Sequence, residues 1–371
     1  MSSRYHDGRF PPQDLEWLRL LPLIGPATAA VARYEGVLHG IPNAAVLLSP
    51  LWTQEAVLSS KIEGTQATFG EVLEFEAAGD ATANGAQKVE DIREVLNYRA
   101  ALREAMRLMS ALPLSQRVLK GAHAVLMQGV RGQNKAPGEY RRIPNWIGPA
   151  GCTLEQARFV PPSAERVPDA MSAWEKYLHS AVPDLLVQLA ILHAEFEAIH
   201  PFFDGNGRLG RLLVPLFLVE KKLLSSPNFY ISAFLESHRD EYYDRLLAVS
   251  RDDDWTGWCA FFLTALIEQA ESNQAKALAI LELYRRKKDW FAEVTHSHHA
   301  VRALDWFFSR PIFKTSAFVS EAGIPKPTAS RILRLARDHG LLRDLQVARG
   351  RRPAIVAFPE FLNIAEGRTM F

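Results

Sequence analysis

Residues 200–211 read HPFFDGNGRLGR and place a histidine, a carboxylate, an asparagine flanked by two glycines, and two arginines within one short stretch. A helical apolar pattern runs into this stretch and another runs out of it, so residues 204–207 are expected at a helix N-terminus. Unpaired backbone N–H groups and the positive end of the helix dipole favour an anion at such a terminus. The stretch therefore predicts an anion-binding turn directly behind a histidine.

The flanking residues fit a polyphosphate better than a single carboxylate. Gly205 and Gly207 let the backbone curl around an anion without a Cβ in the way, and Asn206 adds a side-chain donor. Arg208 and Arg211 share one face of the following helix and extend the positive charge along it. A positive surface of this length predicts a chain of phosphates as the ligand.

Asp204 and His200 supply the other groups that a phosphate reaction needs. A carboxylate beside an anion site is unfavourable unless the two share a cation, and Mg²⁺ typically takes one or two carboxylates plus phosphates and water. Asp204 is therefore the predicted Mg²⁺ ligand, and His200 is the predicted general base. An ordinary helix end followed by a tight turn is the alternative, and the number of such residues in one window disfavours it.

This stretch resembles the motif HPFx(D/E)GNGRxxR of the Fic family, with no departure at any motif position. The resemblance implies transfer of AMP from ATP, with Mg²⁺, to a serine, threonine or tyrosine hydroxyl of a target protein or of the chain itself. His200 would take the proton of the attacking hydroxyl, and Asp204 would hold Mg²⁺. The phosphates would be bound by Gly205, Asn206, Gly207, Arg208 and Arg211.

Two further segments resemble parts of the same family. Residues 142–162 are similar to the β-hairpin flap, which in the family pairs with the target backbone as an added strand. The segment SHRDEYYDRLL is similar to one that carries a tyrosine pair beside the adenosine, which adds Tyr242 and Tyr243 to the expected nucleotide site. A place in the protein core is the alternative for this pair.

One glutamate lies where a helix does not favour a negative charge. The segment SPLWTQEAVLSSKIEGT predicts a helix that stops at Gly64, so that Glu63 meets the negative end of the helix dipole. Ser59, Glu63 and Gly64 resemble the inhibitory motif (S/T)xxxE(G/N) of the Fic family. The resemblance implies an inhibitory helix at about residues 49–64, in which Glu63 pairs with Arg211 and blocks the γ-phosphate. An exposed glutamate at a frayed helix end is the alternative.

Helices must position most of these residues, because apolar residues recur at spacings of three and four over most of the chain. The predicted helices span residues 49–63, 86–110, 113–128, 165–179, 184–200, 207–223, 238–249 and 255–285. The clearest strand candidates are residues 142–147 with 158–160, and residues 341–347 with 354–358. The predicted fold class is mainly α, with a Fic-type helical core, a small β-hairpin flap and a C-terminal winged helix-turn-helix domain.

Four segments are expected along the chain: an N-terminal helical region with the inhibitory helix, residues 1–112; a Fic catalytic core, 113–272; a helical linker, 273–298; and a winged helix-turn-helix, 299–371. The last prediction rests on KTSAFVSEAGIPKPTASRILRLARDHGLL, two helical patterns around a turn, followed by the arginine-rich VARGRRPA. Residues that would face DNA are Lys326, Thr328, Ser330 and Arg331 at the bases and Arg349, Arg351 and Arg352 at the phosphates. A winged helix that binds a protein is equally open.

Composition limits the broader class of protein. A length of 371 residues favours two or three domains. Lysine plus arginine (43) nearly equals aspartate plus glutamate (42), so the whole chain has no charge that would draw it to nucleic acid or membranes. Two cysteines far apart in sequence favour a reducing compartment, and no apolar run is long enough to span a membrane. A cytoplasmic protein without a membrane partner is predicted.

Several functional alternatives stay open at this level. One is a bifunctional enzyme that also removes AMP, and another is a DNA-binding regulator that uses the nucleotide site as a sensor. Transfer of a nucleotide from GTP, CTP or UTP is the third alternative, because the sequence does not predict which base the pocket binds. The expected partners are a target protein on the flap and DNA or a protein on residues 299–371, and a homodimer is left open.

Overall fold

The computed structural model describes residues 3–78, 85–130, 136–149, 151–348 and 353–369. The helices are α1 (Trp17–His39), α2 (Ala44–Leu47), α3 (Ser49–Ile62), α4 (Phe69–Ala78), α5 (Ala86–Met109), α6 (Gln116–Leu126), α7 (Val167–Leu178), α8 (Leu185–Ile199), α9 (Asn206–Glu220), α10 (Ser232–Ser237), α11 (Arg239–Asp252), α12 (Trp255–Thr295), α13 (Ala300–Ser309), α14 (Thr315–Glu321), α15 (Lys326–Asp338) and α16 (Pro359–Glu366). The strands are β1 (Ser3–Arg4), β2 (Phe159–Val160), β3 (Ile312–Lys314), β4 (Arg343–Gln346) and β5 (Ile355–Ala357). The predicted mainly helical class is confirmed. Across the described ranges, the helices lack the combination of length and apolar character that crossing a bilayer requires.

The chain divides into two compact units. The first contains residues 1–35, 58–65 and 96–271, and the second contains residues 36–57, 66–95 and 272–371. The last turn of α3 therefore belongs to the first unit, together with α6 to α11. All residues of the HPFFDGNGRLGR stretch, the predicted flap and the predicted inhibitory motif lie in this first unit.

Helix α8 is the central element of the first unit. It is apolar on nearly all sides and almost entirely buried, as expected of a helix surrounded by others. The side chain of Asp184 caps its N-terminus by accepting hydrogen bonds from the N–H groups of Leu186 and Val187, both at 2.9 Å. The indole N–H of Trp258 donates to the carbonyl oxygen of Ala190 at 2.7 Å. Helix α8 is thus held along its length, and it delivers His200 at its C-terminal end.

The predicted hairpin pairs over a shorter stretch than expected. Ile147 forms a single antiparallel bridge with Phe159 of β2, with its N–H donating to the Phe159 carbonyl at 2.9 Å. Residues 142–146, all of them described, form no strand. Pro144 lies in that segment and has no N–H to donate to a ladder. The expected strand 142–147 is therefore wrong except at its last residue.

The other edge of β2 is covered by the N-terminal segment, a pairing that the sequence did not predict. Strand β1 runs parallel to β2, with Ser3 opposite Phe159. The N–H of Tyr5 continues the ladder by donating to the Val160 carbonyl at 3.0 Å. The free edge of the flap is therefore on the side of residues 142–147.

The C-terminal part of the second unit follows the predicted order of helix, turn, helix and two strands. Helices α14 and α15 flank a turn at Gly323, and β3, β5 and β4 form an antiparallel sheet in that order. Strands β4 and β5 confirm the two predicted C-terminal strands over a shorter length. On α15, Lys326, Ser330 and Arg331 are exposed and Thr328 is half-buried. Three further predicted residues, Arg349, Arg351 and Arg352, lie outside the described residues.

Candidate active site

His200 is the residue at which α8 ends. It has a left-handed backbone conformation, with φ of 48° and ψ of 61°, and its N–H donates to the Phe196 carbonyl at 3.0 Å. A non-glycine residue in this region is uncommon, and such residues often lie at functional sites. The Nδ1 atom lies 3.4 Å from the carbonyl oxygen of Glu197, an arrangement in which Nδ1 carries the proton and Nε2 keeps its lone pair.

Burial keeps the His200 imidazole neutral. It lowers the pKa of His200 to about 4, although the Glu197 carbonyl and the Glu63 carboxylate act in the opposite direction. At neutral pH the ring is therefore uncharged and can accept a proton. This is the protonation state that the predicted general base requires.

The turn after His200 leads into the N-terminus of α9, as expected. Gly205 is the residue before the helix and has a positive φ of 77°, and a Cβ at this position would lie 2.9 Å from Met127 Sδ. Both the backbone conformation and the space therefore require glycine here. The N–H of Leu209 bonds the Gly205 carbonyl at 3.0 Å, so the N–H groups of Asn206 and Gly207, in the first turn, precede the regular hydrogen bonds of the helix. They lie at the place where the sequence predicts an anion site.

The Asn206 side chain serves the turn itself. Its Nδ2 donates to the Phe202 carbonyl at 2.8 Å, and its Oδ1 accepts from the Phe202 N–H at 2.9 Å. Asn206 is only 1% exposed. Both ends of the amide therefore help to close the loop. A contact between the Asn206 side chain and a ligand stays a prediction, and its backbone N–H is the group at the start of α9.

His123 of α6 holds the same turn from outside, and sequence reasoning missed it. Its Nδ1 accepts from the Gly138 N–H at 2.8 Å, so Nε2 carries the proton and donates to the Asp204 carbonyl at 2.9 Å. The ring stacks on Phe202, with centroids 3.8 Å apart. Burial lowers the pKa of His123 to about 4, which preserves this neutral tautomer. A single histidine in an amphipathic pattern carried no signal of this role.

Asp204 could hold a divalent cation. Its Oδ1 accepts from the Gly205 N–H at 2.6 Å and lies 3.5 Å from Nη2 of Arg208, and its side chain is 36% exposed. Over the described residues, no group of three or more histidine, cysteine, aspartate or glutamate side chains is arranged to hold a metal. One accessible carboxylate fits Mg²⁺, because phosphate oxygens and water normally complete its shell.

Glu63 lies against the anion site and is paired with Arg211. Nη2 of Arg211 donates to Glu63 Oε1 at 2.6 Å and to the Ser59 carbonyl at 2.8 Å, and its Nε donates to Ser59 Oγ at 2.9 Å. A Cβ at Gly207 would overlap Glu63 Oε1, so the missing side chain makes room for the carboxylate. Gly64 follows with a φ of 101° after the end of α3.

Both members of this pair are charged. Burial alone would raise the pKa of Glu63, but the charge and the hydrogen bond of Arg211 outweigh it and lower the pKa below its usual range. Arg211 is 1% exposed, whereas the Glu63 side chain is 34% exposed. The structure thus brings Ser59, Glu63 and Arg211 into contact, and the family resemblance had implied the pairing of Glu63 with Arg211.

A cavity of about 410 Å³ opens beside these residues. Its size is within the range of small-molecule sites. Its lining includes the polar residues Glu63, Arg158, Glu197, His200, Arg211, Tyr242 and Tyr243 and the apolar residues Ile147, Phe159, Ala194, Ala198, Leu246 and Leu247. His200, Arg211 and the first turn of α9 therefore open onto one space.

Tyr242 and Tyr243 form part of the cavity wall. His193 of α8 donates from Nδ1 to the Gly210 carbonyl at 3.0 Å, so its Nε2 accepts from the Tyr242 hydroxyl at 2.9 Å. Burial lowers the pKa of His193 to about 3, so this link is neutral. Tyr242 is buried and Tyr243 is half-buried, with ring centroids 5.3 Å apart. His193 is a second residue that sequence reasoning missed.

Arg141 is a third residue that sequence reasoning missed. It is 5% exposed. Its Nε donates to the His200 carbonyl at 2.9 Å, and its Nη2 donates to the carbonyls of Ile199 at 3.3 Å and Pro162 at 2.6 Å. A cation at a helix C-terminus satisfies carbonyls that have no intrahelical donor. Arg141 therefore joins the end of α8 to the end of the flap, and its only signal was its place in YRR ahead of the flap.

We expect Arg141→Ala to lower the free energy of unfolding by about 2–4 kcal/mol, because several buried carbonyls lose a charged donor. Urea unfolding at pH 7.5 measures this loss. Arg142→Ala is the matched control, since Arg142 is the exposed neighbour and its removal should change the free energy by less than about 0.5 kcal/mol. Equal losses in the two variants would contradict the assignment.

Comparison with known proteins gives two family matches in succession. Residues 21–107 match the Fic/DOC family N-terminal region, and residues 113–218 match the Fic/DOC family itself. Together the two matches cover just over half of the chain.

Individual relatives carry related names. A probable protein adenylyltransferase of Aquifex aeolicus is 40% identical over 100 residues, which are 26% of this chain and 31% of that protein. Protein adenylyltransferase Fic of Culex quinquefasciatus is 25% identical over 218 residues, 54% of this chain and 38% of that protein. The matches span about a third of the length of these curated relatives.

Solved structures share the fold. A Fic family protein from Desulfovibrio desulfuricans has a TM-score of 0.60 with 22% identity, over 94% of this chain and 98% of the other. Fic-1 from C. elegans has a TM-score of 0.53 with 18% identity, over 72% of this chain and 76% of the other.

Proposed function

The chain belongs to the Fic/DOC family, and from that premise we propose that it is an autoinhibited protein adenylyltransferase, which transfers AMP from ATP to a hydroxyl side chain of a protein. One observation carries the proposal. A neutral imidazole, His200, lies on the same cavity as Arg211 and the open N-terminus of α9. A base and an anion site are the two elements that such a transfer requires.

In the proposed reaction the protein mainly positions groups and stabilises charge. The N–H groups of residues 206–208 and the guanidinium of Arg208 bind the phosphates. Nε2 of His200 takes the proton of the target hydroxyl as its oxygen bonds to the α-phosphorus. The bond from that phosphorus to the oxygen bridging the β-phosphate breaks, and pyrophosphate leaves. Asp204 would hold Mg²⁺, which when bound supplies positive charge to the phosphate oxygens.

The target would reach this site along the flap. Strand β1 covers one edge of β2, so an added strand would use the opposite edge, at residues 142–147. Ile143 and Trp146 on that side are 54% and 41% exposed and offer apolar contacts to a bound segment. The target would therefore be contacted by main-chain groups of residues 142–147 and by the side chains of Ile143 and Trp146.

We further propose that Glu63 inhibits the enzyme. Its carboxylate fills the space above Gly207 and engages the guanidinium of Arg211. A γ-phosphate bound by Arg211 would meet the negative charge of Glu63, so ATP would be turned away from the orientation needed for attack on its α-phosphorus. Removal of the carboxylate would free both Gly207 and Arg211 for the triphosphate.

The position of the transferred label tests the proposed reaction. The Glu63→Gly variant is incubated with Mg²⁺, a cell lysate and ATP labelled at either the α- or the γ-phosphate. We expect covalent protein label from the α-labelled ATP alone, since pyrophosphate carries the γ-phosphate away. Label from the γ-labelled ATP would indicate a kinase reaction instead. No covalent label from either, with ATP bound, would favour the nucleotide-sensor alternative and overturn the transfer.

A further inference from the structure

Glu197 is a cavity residue to which neither the proposed reaction nor the proposed inhibition gives a role. The α8 residues that line the cavity are Ala194, Glu197 and Ala198, followed by His200 at the end of the helix. Spacings of three and four place the first three on one face. Glu197 lies about 4.5 Å along the helix axis from His200, and Ala194 lies about the same distance beyond it. Glu197 thus stands midway along the α8 wall of the cavity.

The Glu197 carboxyl has an unmet hydrogen-bonding capacity. Its Oε1 atom is buried and has no hydrogen-bond partner within the part of the chain that the structure describes. Buried polar atoms are rarely left in this condition, and each exception requires an explanation. A Cβ at Gly210 would overlap this oxygen, so the glycine of α9 makes room for the carboxyl where it stands. The terminal torsion of glutamate is soft, so the carboxyl can turn either oxygen toward a ligand.

Glu195, two residues earlier on the same helix, has a purely structural role and serves as a comparison for Glu197. Its Oε1 accepts from the Tyr5 hydroxyl at 2.6 Å, and its Oε2 lies 2.7 Å from Nε2 of His6. Both oxygens of Glu195 are therefore bonded inside the protein, and Glu195 is fully buried. Glu197 differs in both respects, because it is half-buried on an open cavity and its Oε1 has no hydrogen-bond partner among the described residues.

The protonation state suits a neutral ligand group. Burial raises the pKa of Glu197 to about 8; the charge of Arg211 opposes this and that of Glu63 adds to it. At neutral pH the carboxyl is therefore mostly protonated and can both donate and accept a hydrogen bond. A hydroxyl has the same two capacities and therefore suits the Glu197 carboxyl. A phosphate would be bound by the proposed anion site at the N-terminus of α9 instead.

The proposed function locates the parts of a nucleotide relative to Glu197. The α-phosphorus must lie near His200, and the apolar lining of Ile147, Phe159, Leu246 and Leu247 suits a base. The ribose is the part of a nucleotide that lies between the α-phosphate and the base. We propose that the Glu197 carboxyl hydrogen-bonds the ribose hydroxyls of the bound nucleotide and makes the site specific for ribonucleotides. This inference rests on the proposed function.

Direct binding of nucleoside diphosphates tests this assignment without any transfer step. Isothermal titration measures ADP, 2′-deoxy-ADP and 3′-deoxy-ADP on the full chain with Glu63→Gly, which opens the site. We expect at least one deoxy analogue to bind about tenfold more weakly than ADP, the effect of one lost hydrogen bond in a buried site. Adding Glu197→Ala should abolish that preference, and adding Glu197→Gln, which keeps a donor and an acceptor, should retain it.

The outcomes separate this inference from the proposed function. An unchanged preference for ADP over both deoxy analogues in the Glu197→Ala variant would overturn the ribose contact and leave AMP transfer standing. A change in the preference between ADP and GDP, with the deoxy preference intact, would show that the carboxyl reads the base and would also overturn it. Absence of ADP binding in Glu63→Gly itself would remove the premise of both.

Discussion

Glu63→Gly is expected to raise the rate of AMP transfer by about 10- to 100-fold, the range that one charge-assisted hydrogen bond of about 1.5–3 kcal/mol allows. The reason is the position of the carboxylate, which occupies the space above Gly207 and holds Arg211 at 2.6 Å. Initial rates of covalent labelling from α-labelled ATP, compared with wild type at equal protein concentration, measure the effect. Glu63→Gln is expected to give an intermediate rate, because it removes the charge and keeps most of the volume.

The control for this variant must separate the carboxylate from the helix end. Lys61 lies two residues earlier in the same turn, is exposed and pairs with Glu236 at 2.8 Å. Lys61→Gly introduces the same backbone freedom and leaves the contacts between Arg211 and Glu63 in place. It should label at the wild-type rate. Equal rates for wild type and Glu63→Gly, or equal activation by Lys61→Gly, would remove the inhibitory role.

Changes in pH alone should not relieve the inhibition above about pH 5. Because the pKa of Glu63 is lowered below its usual range, the carboxylate stays charged, and its pairing with Arg211 is lost only as the pH falls through that lowered pKa. Release at neutral pH is therefore expected to require displacement of the Glu63 carboxylate from Arg211. A signal that moves Glu63 away from Arg211 would have the same effect on the site as the Glu63→Gly variant.

His200→Ala is expected to reduce AMP transfer in the Glu63→Gly background by about 100- to 10,000-fold, the usual contribution of a general base. Binding of ADP should change little, because in the proposed site the phosphates would contact the N-terminus of α9 and the arginines. Single-turnover labelling and isothermal titration measure the two effects. Loss of transfer with retained binding assigns His200 to the chemical step.

The pH dependence of the active enzyme provides an independent check on this base. The pKa of His200 is lowered to about 4, so the ring is neutral above that value and protonated below it. Because the Glu63 charge raises this pKa, its removal in Glu63→Gly acts downward, so the acid limb of kcat/KM, which reports the free enzyme, should lie at or below about pH 4 instead of the ordinary histidine value of about 6.5. His298→Ala, at an exposed histidine, serves as the control and should leave rate and pH profile unchanged. An acid limb near 6.5, or a His200→Ala rate within tenfold of its parent, would contradict the assignment.

The sequence by itself determined the parts of the site that depend on local backbone structure. The apolar periodicity of α8 and α9, the helix stop at Pro201 and the positive φ of Gly205 are all properties of adjacent residues. They suffice to predict an anion site one turn behind a histidine, because helix ends and tight turns are governed by local sterics and hydrogen bonding. The same local rules predicted the end of α3 at Gly64.

Tertiary structure decided which distant residues complete the site; of the contacts below, the resemblance implied only the pairing of Glu63 with Arg211, and local rules implied none. Arg211 and Glu63 are 148 positions apart, and His123 and Asp204 are 81 positions apart. Arg141 and Asn206 carry polar side chains whose types did not reveal that both bind backbone carbonyls. Such roles depend on which polar groups packing leaves without a partner, and periodicity does not encode that.

The departures from the predicted elements have the same physical origin. Helix α1 contains Pro22 and Pro26, which argue locally against a helix, yet it forms as a 23-residue helix in which Leu20, Ala27 and Tyr34 are buried. Strand β1 is two residues long and is defined only by its partner β2. In both cases long-range burial or pairing outweighs local preference, because the free energy of these contacts is available only once the chain has folded.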